Sequence, residues 1–350
     1  MYSTLHPIVI IALLLSLSPQ LWANEWPEED LIPQPSIFDL LPNRENAIPV
    51  QIELNLTDLF EDRRSEEVQK GILRFEDEYG QVQQWRFKAE LRGKYRRNFC
   101  DFPPIKLDFS KKDLQAKNML PFDDLKLVTH CLDDPTGNTI VQREYLAYQL
   151  YQRLDKYSFR TKLVEVTYID TGDSKKSITR LGIIIEDTDQ LMDRLGVQEM
   201  DTVISNHNGL LAEQEMKHAL FQYMIGNGDW NIPVRKNLKL AWAPKVQRFV
   251  AIPYDFDFCG MVNSKYAVAK SNHDIRSVTD RVYLGKLRPI EEMQATIDFF
   301  LEEKANIYAF IEQAPWLEKA NRRYSLNYLD GFFKDIEKGK INFAPDEYYR

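Results

Sequence analysis

The stretch Gly226-Asn227-Gly228-Asp229-Trp230-Asn231, followed by Asn237 and then by Tyr254-Asp255-Phe256-Asp257-Phe258-Cys259-Gly260, decides the reading of this chain. It runs from a helix end through a polar loop with an acid and amides to a short strand pair and two more acids. Gly226 and Gly228 break the helix ahead of Asp229. Asp229 is therefore expected on an exposed loop, where a carboxylate can accept the proton of an attacking hydroxyl. Asn237 is neutral and oxygen-bearing at the start of a strand, which suits a Mg²⁺ ligand. Asp255 and Asp257 are two positions apart and share one strand face. Two carboxylates so placed repel unless a cation or a proton lies between them, and a bound metal is the expected solution. Any one of these acids alone reads as a solvated loop residue. The three acids with Asn237 can surround a single phosphate group.

Working outward, Met216, Ala219, Leu220, Tyr223 and Met224 form one apolar helical face that stops at Gly226. Residues 238–242 and 249–253 read as a short strand pair, and residues 289–338 as two or three amphipathic helices interrupted at Pro315. Upstream, residues 50–56, 71–75, 85–91, 104–109 and 125–129 have the alternation or apolar content of strands. A helix over 139–154 and strands over 163–169 and 180–185 follow. The chain is thus β-rich first and helix-rich later, which predicts an α+β fold of two lobes. The boundary falls near Glu186, giving a β-rich lobe over 48–186 and a helical lobe over 187–350.

Three further groups have residue types suited to phosphate chemistry. Lys106 lies between Ile105 and Leu107, so it points away from both, into the space expected between the lobes. The bland alternative is a lysine on a solvated outer face, and Lys126 in a similar strand is its rival. The turn Arg92-Gly93-Lys94-Tyr95-Arg96-Arg97-Asn98 is dense in guanidinium groups, and Gly93 permits a tight approach of Arg92 and Arg96 to a phosphate. Glu186, after the apolar run Ile183-Ile184-Ile185, either borders a nucleotide base at the lobe junction or caps the next helix.

Composition narrows the classes. Residues 8–15 are apolar and Ala23 suits a cleavage site, so 1–23 reads as a secretory signal despite an n-region without Lys or Arg. An uncleaved anchor is the alternative, although the apolar run is short for a span of about 20 residues. The expected location is exported, periplasmic or secreted, with no stable membrane span after cleavage. Residues 24–47 read as an extended leader. A net charge of −8 argues against broad attraction to nucleic acid or an anionic membrane. Cys100, Cys131 and Cys259 form no C-x-x-C. Cys100 and Cys131, both at ends of expected strands, could bridge; three free or buried thiols are the other reading.

Together these residues resemble the spore-coat-protein-H (CotH) kinase-like family, an atypical branch of the protein-kinase fold, over about residues 85–262. The resemblance implies a bilobal kinase-like fold, with Lys106 on ATP phosphates and Glu144 paired with it. It implies Asp229 as catalytic base, Asn237 and Asp255 on Mg²⁺ or Mn²⁺, Asp257 as a second acid near the metal, and Glu186 at the adenine side. The chain departs from ordinary kinases in lacking a Gly-rich phosphate loop and a His-Arg before Asp229, and in having Asp255-Phe256-Asp257 in place of Asp-Phe-Gly. The expected activity is an exported, metal-dependent transfer of the ATP γ-phosphoryl group to a hydroxyl of a protein or small molecule. A catalytically inactive scaffold serving as an envelope binding or assembly protein is the second reading, and metal-dependent phosphoester hydrolysis the third.

Overall fold

The computed structural model describes residues 34–61, 63, 68–93, 95–172, 176–201, 209–270 and 275–345. The expected signal segment and most of the leader lie outside the described residues. Residues 35–350 cluster as one compact unit.

Along that unit the elements are α1 (Ile37–Leu40), β1 (Ile48–Leu54), α2 (Leu56–Glu61), β2 (Gln69–Glu76), β3 (Val82–Leu91), α3 (Arg96–Phe99), β4 (Ile105–Phe109) and α4 (Lys111–Ala116). Then come β5 (Asp124–Val128), α5 (Thr136–Leu154), β6 (Thr161–Asp170), β7 (Ser177–Ile185), α6 (Thr188–Leu195), β8 (Gln198–Glu199) and α7 (Ala212–Ile225). The chain finishes with β9 (Leu238–Ala243), β10 (Arg248–Pro253), α8 (Ile290–Gln313) and α9 (Lys319–Ile336).

The strands of the first half alternate buried and open positions, as in β4, where Ile105, Leu107 and Phe109 are buried and Lys106 and Asp108 are not. One apolar face per strand can be hidden either by stacking on another layer or by curling the sheet on itself. Here it curls. The order is β1-β2-β3-β4-β5-β7-β6, and β6 returns to pair in parallel with β1, from Ile48 opposite Val164 to Leu54 opposite Asp170. Closure leaves no unpaired sheet edge. Ile52, Leu73, Phe87, Leu107, Leu125, Val166 and Tyr168 share the apolar cluster of this barrel. The described end of the leader is not extended: Ser36 and Asp39 form a reciprocal capping box on α1, and Ile37, Phe38 and Leu41 are buried in the same cluster.

This overturns the expected bilobal kinase-like fold with its helical second lobe. The sheet is a closed barrel. Leu146, Leu150 and Tyr151 of α5 and Ile183 and Ile185 of β7 belong to one apolar cluster with Leu220 and Phe221 of α7, Ile252 of β10, Phe300 of α8 and Phe332 of α9. The second half also contains a three-stranded sheet of order β10-β9-β8. Alternation along a strand shows which residues need cover but is silent about which edges meet, and that choice made the difference.

Several local expectations agree with the structure. The strand pair is β9 and β10, with Leu238 opposite Pro253. Two helices flank Pro315. Cys100 and Cys131 are disulfide-bonded, and Cys259 is free and buried. Among the described residues no helix is long and apolar enough to cross a membrane.

Candidate functional site

The site starts where α7 stops. Gly226 takes φ +65°, and a Cβ there would lie 2.0 Å from the Tyr328 hydroxyl, so only glycine fits this turn. Asn227 is buried; its Nδ2 donates to Gln222 Oε1 at 3.0 Å, and its Oδ1 accepts from the Asp229 backbone N–H at 2.8 Å. That local amide therefore sets the direction in which Asp229 leaves the helix end. Asn237, itself at φ +55°, donates through Nδ2 to the Asp229 backbone carbonyl at 2.7 Å and to Asp229 Oδ2 at 2.9 Å. Lys236 binds Asp229 Oδ1, and Lys270 reaches the same oxygen at 2.7 Å. The loop acid is thus held by one amide and two ammonium groups.

The strand end carrying the other acids is tied to this loop. The Tyr254 N–H donates to the Asn237 carbonyl at 3.1 Å. Asp255 follows in the left-handed region at φ +64°, and its N–H donates to the buried Tyr148 hydroxyl of α5 at 2.8 Å. A non-glycine residue held there is uncommon. Asp229, Asn237, Asp255 and Asp257 accordingly line one cleft of about 630 Å³.

The cation expected between the acids is supplied by the protein. Arg96, the first residue of α3, is buried with its guanidinium bound to Asp255 and within 3.4 Å of Asp257 and 3.6 Å of Glu144. Burial alone would lower the guanidinium pKa, but the charges of Asp257, Asp255 and Glu144 outweigh it and raise it well above the ordinary value. Glu144 is fully buried, and among the described residues neither carboxylate oxygen has a hydrogen-bond partner. Burial, opposed by Arg96 and assisted by the charges of Asp257 and Asp255, raises its pKa to about 8. Asp257 is raised to about 7, again by burial against the pull of Arg96.

Arg96 is therefore a largely buried counter-ion of the acids, and it also lines the cleft. It also takes the partner that was expected for Lys106, because Glu144 pairs with Arg96. Lys106 points out of the barrel, 3.1 Å from Asp124 and 3.8 Å from Glu90, and does not line the cleft. Its neighbour across the β4–β5 register is Lys126. That lysine bonds to Thr188 at the start of α6, and its pKa is lowered to about 8 by burial and by the charges of Arg92 and Lys239. Glu186 is likewise engaged elsewhere. Its buried carboxylate accepts from Arg160 N–H at 2.6 Å and Nε at 2.8 Å, and from Arg194 Nη2 at 2.6 Å and Nε at 3.2 Å. Two arginines saturate it, and it does not line the cleft.

Arg92 does line the cleft and makes no ion pair among the described residues. Its pKa is lowered by burial and by the nearby charge of Arg96, with Asp255 acting the other way. A guanidinium that lines a cleft without an ion pair of its own can take an anion as its partner. The sequence reading missed Lys236, Lys270 and Tyr148. Lys236 sits beside Asn237 and Tyr148 lies one helical turn beyond Glu144, so spacing could have found both. Nothing local marks Lys270.

The donor set for a metal is limited. Among the described residues no three or more of His, Cys, Asp and Glu are grouped to hold an ion by themselves. Mg²⁺ commonly takes one or two protein oxygens and completes its shell with water and phosphate. The Asn237 amide nitrogen is committed to Asp229, which leaves its carbonyl oxygen as a ligand atom, and Asp255 lines the same cleft.

No family model matches the chain, and no curated protein does, so the expected CotH membership gains no support. A kinase is among the solved structures similar to it: the Helicobacter pylori proinflammatory kinase CtkA, at 12% identity and a TM-score of 0.37, over 69% of this chain and 93% of that one. Similarity at that level leaves the functional reading to the geometry of the site.

Proposed function

We propose that the chain is a phosphotransferase that moves the γ-phosphoryl group of ATP to a hydroxyl acceptor. The observation that carries the reading is the union, in one cleft, of an anion-ready Arg92 with Asp229, Asn237 and Asp255. Arg92 would bind phosphate oxygens, and Lys236 and Lys270 would hold both Asp229 and the anion beside it. A carboxylate has about four lone-pair positions, so Asp229 can accept a further hydrogen bond from the acceptor hydroxyl. In the transfer the acceptor oxygen forms a bond to the γ-phosphorus and the bridging P–O bond to the β-phosphate breaks. The electron pair leaves with ADP, and the hydroxyl proton passes to Asp229. Asn237 and Asp255 would hold Mg²⁺ or Mn²⁺, which supplies charge neutralisation at the phosphates when bound. Asp257 and Glu144 would hold Arg96 together with Asp255 Oδ1, so the cation would draw on Asn237 and the remaining Asp255 oxygen.

Thermal-shift titration with ATP, with and without Mn²⁺, tests this. Metal-dependent stabilisation that is lost in Asp255→Ala and reduced in Arg92→Ala is the expected result. Transfer of ³²P label should vanish in Asp229→Ala while the ATP-induced shift persists. Normal label transfer by that variant removes Asp229 from the role of base.

One observation favours the second reading, an inactive binding or assembly protein: Asp229 is already held by two lysines and an amide. Stabilisation by ATP without any label transfer would select it. Export of the chain remains a proposal from residues 1–23.

A further inference from the structure

Asp255 shares its cleft with two guanidinium groups and pairs with only one of them. Arg92 and Arg96 both line that cleft. Asp255 Oδ1 binds Arg96, whereas Arg92 makes no ion pair among the described residues. Asp255 is nevertheless close enough for its charge to act on Arg92. Its side chain is 34% exposed, so packing alone leaves it room to turn. A carboxylate that turned to Arg92 would neutralise it and fill the anion position from within the chain.

The backbone on either side of Asp255 shows what aims this side chain. The peptide plane before it is fixed by the bond from its N–H to Tyr148 Oη at 2.8 Å. The plane after it leads into Phe256, which is fully buried and meets the Tyr148 ring edge-on at 4.8 Å. With both planes held, Asp255 takes a left-handed φ of +64°, which non-glycine residues rarely adopt. The direction of its Cα–Cβ bond follows from that φ. Tyr148 is itself buried on α5, one helical turn beyond Glu144, whose carboxylate lies 3.6 Å from Arg96. One helix thus holds both halves of the contact, the Asp255 backbone through Tyr148 and the Arg96 guanidinium through Glu144.

We infer that Tyr148 is a positioning residue whose hydroxyl keeps the Asp255 carboxylate on Arg96 and off Arg92. Arg92 then stays open to an anion. The inference rests on the phosphotransfer reading in one respect, that Arg92 takes phosphate, and deepens it by naming what keeps that position free. A ring that only filled space against Phe256 would need no hydroxyl.

The test uses the full chain with Tyr148→Phe, which keeps the ring and removes the hydroxyl, and with Asp255→Asn, which removes the competing charge. Inorganic pyrophosphate is the probe, titrated without metal and read by calorimetry. Tyr148→Phe should bind it at least about threefold more weakly than the wild type. Added to Asp255→Asn, Tyr148→Phe should make no difference, because an uncharged side chain does not compete for Arg92. Equal affinity of the wild type and Tyr148→Phe, or the same loss with and without Asp255→Asn, overturns the inference. If the wild type and Arg92→Ala bind pyrophosphate equally, Arg92 leaves the phosphotransfer reading, and urea unfolding of the same four chains decides on Tyr148. The backbone N–H is unchanged by Asp255→Asn, so a hydroxyl that merely satisfies it shifts the midpoint equally in both backgrounds, and the inference falls. A smaller shift beside Asp255→Asn upholds it.

Discussion

The barrel interior and the cluster around Arg96 are both withdrawn from water, yet opposite chemistry holds them. Inside the barrel, Ile52, Leu107 and Val166 are interchangeable in kind; each contributes by its apolar area and each has many neighbours. Around Arg96 a single guanidinium is shared by Glu144, Asp255 and Asp257. The barrel degrades gradually as atoms are removed. The cluster depends on one residue, because a buried carboxylate that loses its partner keeps the whole cost of its desolvation. The lesson is that the chain's most vulnerable interior position is a charged one.

The sharpest break of that comparison is Arg96→Met, which keeps the volume and removes the charge. It should cost about 3–5 kcal/mol of unfolding free energy, measured by urea titration. A loss below that of a barrel methyl deletion would show that the three acids simply take up protons and that the cluster is no weak point.

Glu144→Gln acts on the other side of the same contact. Arg92, Arg96, Asp255 and Asp257 are the charged groups around Glu144. Its folded pKa of about 8 exceeds the ordinary 4.5, so between those values the folded state holds more protons than the unfolded one. Stability from this group is therefore greatest at low pH and falls as pH rises through that window. Melting temperatures of the wild type should decline from pH 5 to 8 relative to Glu144→Gln. Parallel profiles would mean that Glu144 does not titrate there.

The Cys100–Cys131 bridge joins the C-terminal end of α3, which carries Arg96, to the segment between β5 and α5. Replacing both cysteines by serine should cost about 2–4 kcal/mol, from the freedom regained by the unfolded loop. If Arg96→Met and the double serine variant are less than additive, the disulfide acts partly by holding the cluster. The smallest effect is expected in the barrel, where Ile52→Val should cost about 0.5–1.5 kcal/mol. A loss as large as that of Arg96→Met would erase the contrast between the two regions.

The two regions were also unequally legible. Barrel strands announce themselves by alternation, and β3 and β4 read off correctly because every second residue, Trp85, Phe87 and Ala89 or Ile105, Leu107 and Phe109, must be hidden. The loop position of Asp229 was readable for a related reason, because a helix stop is a local fact; the shared strand face expected for Asp255 and Asp257 was not, since β10 ends at Pro253 and Asp255 turns off at φ +64°. Assigning Lys106 failed because strand alternation names a face and not what covers it. Lys106 and Lys126 point to the same side of paired strands, and α6 determines that only Lys126 is enclosed. Glu186 failed similarly, since Arg160 and Arg194 approach it from segments whose pairing no spacing reveals.

By itself, then, the chain determined its strands, the helix stop at Gly226 and the loop that presents Asp229, all of which follow from periodicity or from the φ a residue can adopt. Tertiary structure alone decided that β1 would meet β6, that Arg96 would serve as the counter-ion of the acids, and that Lys106 would face outward. Those outcomes depend on which distant surfaces meet, and the free energy of a charge is set by its surroundings and not by its place in the sequence.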